Sequence, residues 1–524
     1  MANRIIVFFG IGTAIFLFLY LFQFTIPYED ASILFSYAEN FSNSGTISYY
    51  PKGMPAEGAS DFLFLILVSL LFKIGLPIFF SAVLLNFLGA LTAIYSFHKL
   101  SNKNSLLFLL SIILFFLLPQ IIAGILGYAT IFYAGITLLV ITFFLNKNSK
   151  LFYIFCAIHF LTRPIEGFVS ISLVLFYFYK IKNSSNQKHE LKFLIVYFLL
   201  PISCFWVWRT YYFGHFLPLP YYIKTNFEKW LFFFNKDSIY FHYKLFFPFC
   251  LSIFLVFLPC FFLKTKLIFD FWAICISLIL LPIFLYSTAD LDMNFALRYQ
   301  ILPFLGLMIL GLYYSYSNIL LKTLFLLSFL LPLVNLSSDQ WLRAREFDWN
   351  NMYFIGDRIF KSNKGEGNLA TTESGIIPWK TKMKTMDLWG LNTPQLTDKL
   401  PTDEELKIFK PDIIVIHPKN DDLSYLKERV HDKILEKNWE NMTTVVFQFA
   451  YKSQNYDCFL VPYDLRSYDP KYSRPWFSLI LDNRYGKATF SNRKDLFFIR
   501  KDFKFYFQTI KILQEYGSIP YPQY

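Results

Sequence analysis

Charge is scarce in this chain. Asp, Glu, Lys and Arg make up 16% of its 524 residues, against 55% hydrophobic residues. So few charges cannot cover the apolar surface of a soluble protein of this length, and the same shortage excludes disorder and a coiled coil. Glycine is thin, at 21 residues, which excludes a collagen-like chain. Cysteine is thin as well. Five of the six cysteines lie inside apolar runs and Cys458 stands alone in a polar region, so no disulfide framework is implied there. CxxC and Cys/His metal spacings are absent. Neither a Walker loop nor a GxGxxG follows a strand, which leaves a nucleotide site unsupported. What the chain does have is 65 Phe and a mean hydropathy of +0.41. The composition is that of a polytopic membrane protein with one water-soluble portion.

The formal net charge of +12 is concentrated in one half. Residues 337–524 hold 28 Lys and Arg against 25 Asp and Glu, whereas residues 1–336 hold 21 against 12. The excess sits between apolar segments, which fits membrane topology and excludes a nucleic-acid partner. Arg4 and the run from Ile5 to about Phe24 read as an uncleaved first span, because the run is long for a signal peptide and no small-x-small site follows. Further runs recur to Leu336, punctuated by Lys99/Lys103, Lys147/Lys150, Lys180/Lys182/Lys188/Lys192, Lys264/Lys266 and Lys322. If residues 60–75 form a span, this punctuation alternates between the two sides. If they lie along the surface, bounded by Asp61, Lys73 and the Gly75–Pro77 break, all of it falls on one side. The second reading obeys the positive-inside rule. It gives about eleven spans, near 5–26, 77–98, 105–122, 128–146, 151–162, 166–182, 191–212, 243–263, 267–287, 297–317 and 319–336, with a cytoplasmic N-terminus and residues 337–524 outside. Segments 151–162 and 166–182 are also readable as one bent hairpin.

Residues 337–524 are expected to form a soluble α/β domain on the outer membrane face, following a transmembrane domain over 1–336. Asp412–His417 and Thr443–Phe449 read as buried strands, and Pro401–Phe409 as a helix with an acidic first turn.

The outer loops carry the chemistry; Glu228 and Asp292 are among their acids. Glu29 and Asp30 follow the first span directly, and two carboxylates so near hydrocarbon are costly unless used. Each disfavours ionisation of the other, which can poise one as a base. Glu57 lies later in the same loop, Arg163 and Glu166 at another boundary, and Arg298 opens a late span. The loop Tyr211–Lys224 is aromatic and Pro-rich and bears His215, Tyr221, Tyr222 and Lys224. Arg and Lys at this depth suit a phosphate, and the aromatic rings suit sugar faces or an isoprenoid chain.

Six motifs in order carry a resemblance. They are Glu29-Asp30-Ala31; Tyr37-Ala38-Glu39-Asn40; Glu57-Gly58-Ala59-Ser60-Asp61-Phe62-Leu63; Arg163-Pro164-Ile165-Glu166-Gly167; Tyr211 to Lys224; and Arg298-Tyr299-Gln300-Ile301-Leu302-Pro303. In the polar part, Glu373–Pro378 and Met386–Asn392 continue the series. The order resembles that of bacterial GT-C superfamily glycosyltransferases, in the polyprenyl-phosphate-sugar-dependent branch that includes mycobacterial arabinofuranosyltransferases. In that branch the acidic pair is Asp-Asp, so Glu29 departs from it and Asp30 is the direct match. The resemblance implies a GT-C-like helical membrane fold and inverting transfer of a sugar from a polyprenyl-phosphate donor to a glycan or glycolipid acceptor outside the cytoplasm. It implies Asp30 or Glu29 as general base, with Glu57, Arg163, Glu166, His215, Tyr221, Tyr222, Lys224 and Arg298 binding substrate. No cofactor or metal is implied, and the location is the bacterial inner membrane among its lipids. A flippase, or a polymerase or ligase of lipid-linked sugars, is the alternative.

Overall fold

The computed structural model describes residues 2–181, 187–225, 235–258, 265–291, 294–314, 319–347, 351–418, 423–429, 432, 434, 436–462 and 494–521. Lys182, Lys264, Glu228 and Asp292 lie outside the described residues. Among the described residues, eight helices are long and apolar enough to cross a bilayer: Ala2–Gln23, Ile78–Leu100, Pro164–Ile181, Gln187–Phe213, Lys236–Phe257, Phe269–Tyr286, Phe295–Tyr313 and Leu320–Trp341. The chain is a multi-pass membrane protein. At about 1.5 Å per residue, helices of this length match a hydrocarbon core of roughly 30 Å. Three segments expected as spans form shorter apolar helices, Ser105–Phe116, Thr130–Leu145 and Ser149–Thr162. Asn104 and Asn148 start the first and third of these, each side chain accepting from a backbone N–H three residues on.

Residues 60–75 contain a helix of only 12 residues, Phe62–Lys73. It is too short to span, in keeping with a surface position. The expected hairpin bend falls at Arg163, whose extended backbone separates Ser149–Thr162 from Pro164. A residue before proline is pushed out of the helical region, which accounts for the break. Helix Phe295–Tyr313 lies at the centre of the bundle, with 94% of its apolar window buried. Whatever stands at its first turn is therefore held inside the protein.

Helix Ile319–Phe347 runs without a break past residue 336 and leads toward the polar part. That part is built on a six-stranded sheet: β1 Asn368–Thr371, β2 Lys384–Asp387, β3 Ile413–Ile416, β4 Tyr456–Pro462, β5 Lys494–Arg500 and β6 Ile519–Pro520. The order is β2-β1-β3-β5-β4-β6, parallel through β2, β1 and β3 and antiparallel beyond. Side chains alternate between two cores. Leu369, Ile413, Val415, Phe497 and Ile499 pack on one face, and Ala370, Ile414, Ile416, Leu496 and Phe498 on the other.

The expected strand over Asp412–His417 is β3. The expected helix is Asp403–Phe409, opened by a capping box between Thr402 and Glu405. The expected strand over Thr443–Phe449 is instead the middle of helix Trp439–Ser453, whose Asn438 cap accepts from the Asn441 N–H. Its β-branched run is buried almost continuously, and a buried run of that length fits either structure. The cap, upstream of the apolar residues, decides for helix.

Candidate functional site

Glu29 and Asp30 open helix Glu29–Ser44 in its first turn. One step along a helix turns a side chain by about 100°, so the two carboxylates face different neighbours. Glu29 Oε1 accepts from the backbone N–H groups of Gly375 at 2.7 Å and Ile376 at 3.0 Å, at the start of helix Ile376–Thr381. Burial, and the neighbouring Glu373 carboxylate, hold Glu29 well above the usual carboxylate range, against the pull of those two N–H groups. Asp30 Oδ2 instead accepts from Arg298 Nη2 at 2.8 Å, its side chain 24% exposed.

Arg298 is buried and sits between the rings of Tyr128 and Tyr299, 4.3 and 5.0 Å from their centroids. Its Nη2 also donates to the Tyr299 hydroxyl at 3.0 Å, and its Nη1 is buried with no partner among the described residues. Lys224 Nζ reaches the same hydroxyl at 3.3 Å. Two non-glycine residues in the left-handed region, Ala296 (φ 49°) and Leu297 (φ 55°), kink the chain just before Arg298. Such conformations cost about 1 kcal/mol or more each. The kink is held by Gln120 Nε2 donating to the Leu297 carbonyl at 2.9 Å.

Arg163 is held by two carboxylates. Its Nε donates to Asp61 at 2.9 Å and its Nη1 to Glu166 at 2.9 Å, with the guanidinium over the Tyr133 ring. The Tyr286 hydroxyl donates to Glu166, and the Tyr286 ring stacks on Tyr299 at 4.9 Å. Arg163 and Glu166 therefore stand behind Tyr299 rather than beside Asp30.

Glu57 pairs with Arg209, which is completely buried within helix Leu200–Phe213. Arg209 Nη1 also donates to the carbonyls of His215 (3.0 Å) and Phe216, while the Glu57 carbonyl accepts from Leu219 N–H at 3.2 Å. This knot ties down the Tyr211–Lys224 loop. His215 belongs to it through its backbone, and its ring lies 6.3 Å from that of Tyr222. The Tyr222 hydroxyl accepts from the Leu217 N–H at 3.2 Å, and the Tyr221 carbonyl accepts from Thr225. Sequence reasoning passed over Arg209 because it stands inside an apolar run. Its charge at that depth was the available signal. Tyr299 stood in the Arg298–Pro303 motif without a role of its own.

The remaining motifs join the two parts of the chain. Tyr37 donates to Asn392 Oδ1 at 2.9 Å and accepts from the Gly58 N–H at 3.0 Å. Asp387 organises the Asn392 turn by accepting from the N–H groups of Trp389 (3.0 Å) and Asn392 (2.8 Å). Glu39 pairs with Lys382 and accepts from Trp379 Nε1 at 3.1 Å. The approach is close. A Cβ on Gly58 would stand 1.8 Å from Asn392 Oδ1, and one on Gly375 1.8 Å from the Glu29 carbonyl.

Among the described residues, no group of three or more His, Cys, Asp or Glu side chains is arranged to hold a metal. The structure thus brings together Asp30, Lys224 and Arg298, with Tyr299 between the two cations. It separates them from the Glu57–Arg209 knot and turns Glu29 toward the sheet.

Residues 345–468 match a domain of unknown function (DUF8728). No curated protein sequence matches the chain. Among solved structures, ArnT from Cupriavidus metallidurans bound to undecaprenyl phosphate superposes with a TM-score of 0.51 at 12% identity, over 83% of this chain and 96% of that one. ArnT in the apo state superposes with a TM-score of 0.44 at 13% identity, over 84% and 97%. The likeness to the first shows the fold: this chain has an ArnT-like multi-pass membrane architecture.

Proposed function

We propose that the chain is an inverting glycosyltransferase that moves a sugar from a polyprenyl-phosphate donor to a glycan or glycolipid acceptor. The observation that carries this reading is the convergence of Asp30, Lys224 and Arg298 at the start of the central helix, with Arg298 Nη1 buried and unpartnered. An open guanidinium nitrogen beside an ammonium group suits a phosphate oxygen. Among the described residues, Arg163 and Arg209 are paired with Asp61, Glu166 and Glu57, whereas Arg298 and Lys224 share the Tyr299 hydroxyl, with Asp30 as the acid beside them. The fold supports the same donor class, because its ArnT neighbour was solved with undecaprenyl phosphate bound.

Asp30 is the general base in this reading. It takes the acceptor's proton as the acceptor oxygen attacks the anomeric carbon, and the lipid phosphate leaves toward Arg298 and Lys224. Glu29 is the weaker choice, since it is engaged by two backbone N–H groups at the start of another helix. Residues 1–336 form the catalytic membrane domain and 337–524 a domain outside the cytoplasm. The Lys and Arg bias between the spans supports that orientation in a bacterial inner membrane.

Mass spectrometry of co-purifying lipids, wild type beside Asp30→Asn, tests the proposal. The variant should retain a polyprenyl-phosphate sugar that the wild type has consumed. Equal retention in both would point to a flippase, and no polyprenyl lipid in either folded protein would overturn the donor assignment.

A further inference from the structure

We propose that Tyr299 is a catalytic residue of this transfer: its hydroxyl donates a hydrogen bond to the phosphate oxygen that leaves the sugar. The inference rests on the glycosyl-transfer reading above and adds an uncharged donor to its two cations.

A phenol oxygen carries one proton and accepts through its lone pairs. In Tyr299 the accepting directions are taken, by Arg298 Nη2 at 3.0 Å and by Lys224 Nζ at 3.3 Å. Neither an ammonium nor a guanidinium can accept in return. The Tyr299 proton must therefore point at a third group, and among the described residues no side chain accepts it. Beside it lies the buried Nη1 of Arg298, also without a partner. Two donors without an acceptor on adjacent residues, next to an ammonium, suit anionic oxygen.

The hydroxyl is fixed in advance. Its ring stacks on Tyr286 at 4.9 Å with the planes 29° apart, and Tyr286 is anchored through Glu166 to Arg163. The left-handed pair Ala296–Leu297 sets the backbone just upstream. Strain of this kind collects where a side chain must be aimed. The residue as a whole is half-buried. A donor that needs no reorientation when charge develops is the arrangement that stabilises a leaving oxyanion.

In the step itself, the bond from acceptor oxygen to anomeric carbon forms as the bond from anomeric carbon to phosphate oxygen breaks. The acceptor's proton passes to Asp30. The electron pair of the broken bond stays on the phosphate oxygen, which Tyr299, Arg298 and Lys224 surround. Arg298 Nη2 touches both Asp30 and the Tyr299 hydroxyl, so the base and this donor lie on either side of one nitrogen.

The test is Tyr299→Phe, which deletes the hydroxyl and keeps the stacked ring. Purified full-length protein is given donor lipid extracted from the Asp30→Asn variant at varied concentration, with cell-envelope extract as acceptor, and release of polyprenyl phosphate is followed. Undecaprenyl phosphate is the probe for binding. The expected result is a fall in kcat of about 10²-fold with little change in donor KM or in undecaprenyl phosphate affinity. Tyr286→Phe controls for packing: it cuts the anchor behind the ring but leaves the Tyr299 hydroxyl, and should lose much less. A Tyr299→Phe enzyme at full rate overturns the proposal. So does a parallel loss of binding and turnover, or a Tyr286→Phe loss as large. A wild type that turns over no polyprenyl-phosphate sugar overturns the transferase reading along with it.

Discussion

Glu29 and Asp30 are adjacent, chemically similar, and used differently. Glu29 caps a helix 346 residues away in the chain, while Asp30 meets an arginine 268 residues away. The pair was legible in the sequence, but the division of labour was not, because both partners come from distant segments. The division predicts that Asp30→Asn abolishes transfer, by at least about 10²-fold, without loss of expression. Glu29→Gln should keep most activity, since the amide oxygen still accepts from Gly375 and Ile376. Equal losses in the two variants, in the donor-release assay, would contradict it. Arg298→Lys should be costly although it conserves charge. Lysine lacks the planar fork that holds Asp30 and Tyr299 together and presents a further nitrogen, so a fall of about 10-fold or more in turnover is expected.

Elements are set by polar groups that the apolar pattern hides. The Tyr211–Lys224 loop rests on Glu57 and Arg209, one in the loop before helix Phe62–Lys73 and the other inside a helix long enough to span. Removing one partner of a buried pair leaves the other uncompensated, so Arg209→Ala should destabilise by about 3–5 kcal/mol in detergent unfolding. Burial lifts the Glu57 carboxyl from its ordinary 4.5 to about 7, against the pull of Arg209. The folded state thus binds this proton more tightly than the unfolded state. Its contribution to stability is fully present below pH 4.5 and is lost as pH rises toward about 7. Thermal unfolding should show wild type losing stability relative to Glu57→Gln across that window; a relative gain would contradict the assignment. The helix Trp439–Ser453 teaches the same lesson from another side. Its Thr-Thr-Val-Val run suggested a strand, and the Asn438 cap settles it as a helix. Composition pointed to burial correctly and to geometry wrongly.

At the scale of the molecule, a helical bundle and a sheet-bearing part share one polar seam. Glycines at 58 and 375 let the two approach, and Glu29, Tyr37 and Glu39 bind across it. Gly375→Ala should force the parts apart, since its Cβ would meet the Glu29 backbone, and faster hydrogen exchange in helix Glu29–Ser44 would report it. The membrane class and the shortness of the helix within residues 60–75 were legible, because hydropathy and charge placement are one-dimensional signals. The kink that aims Arg298 and Tyr299 was not, because no glycine or proline marks it. The most direct test of the account is a cryo-electron microscopy structure of the full chain in lipid nanodiscs with undecaprenyl phosphate. The account predicts phosphate density within hydrogen-bond distance of Arg298 Nη1, Lys224 Nζ and the Tyr299 hydroxyl, with Asp30 facing it. Phosphate seated elsewhere, with the Asp30–Arg298 region empty, would contradict it.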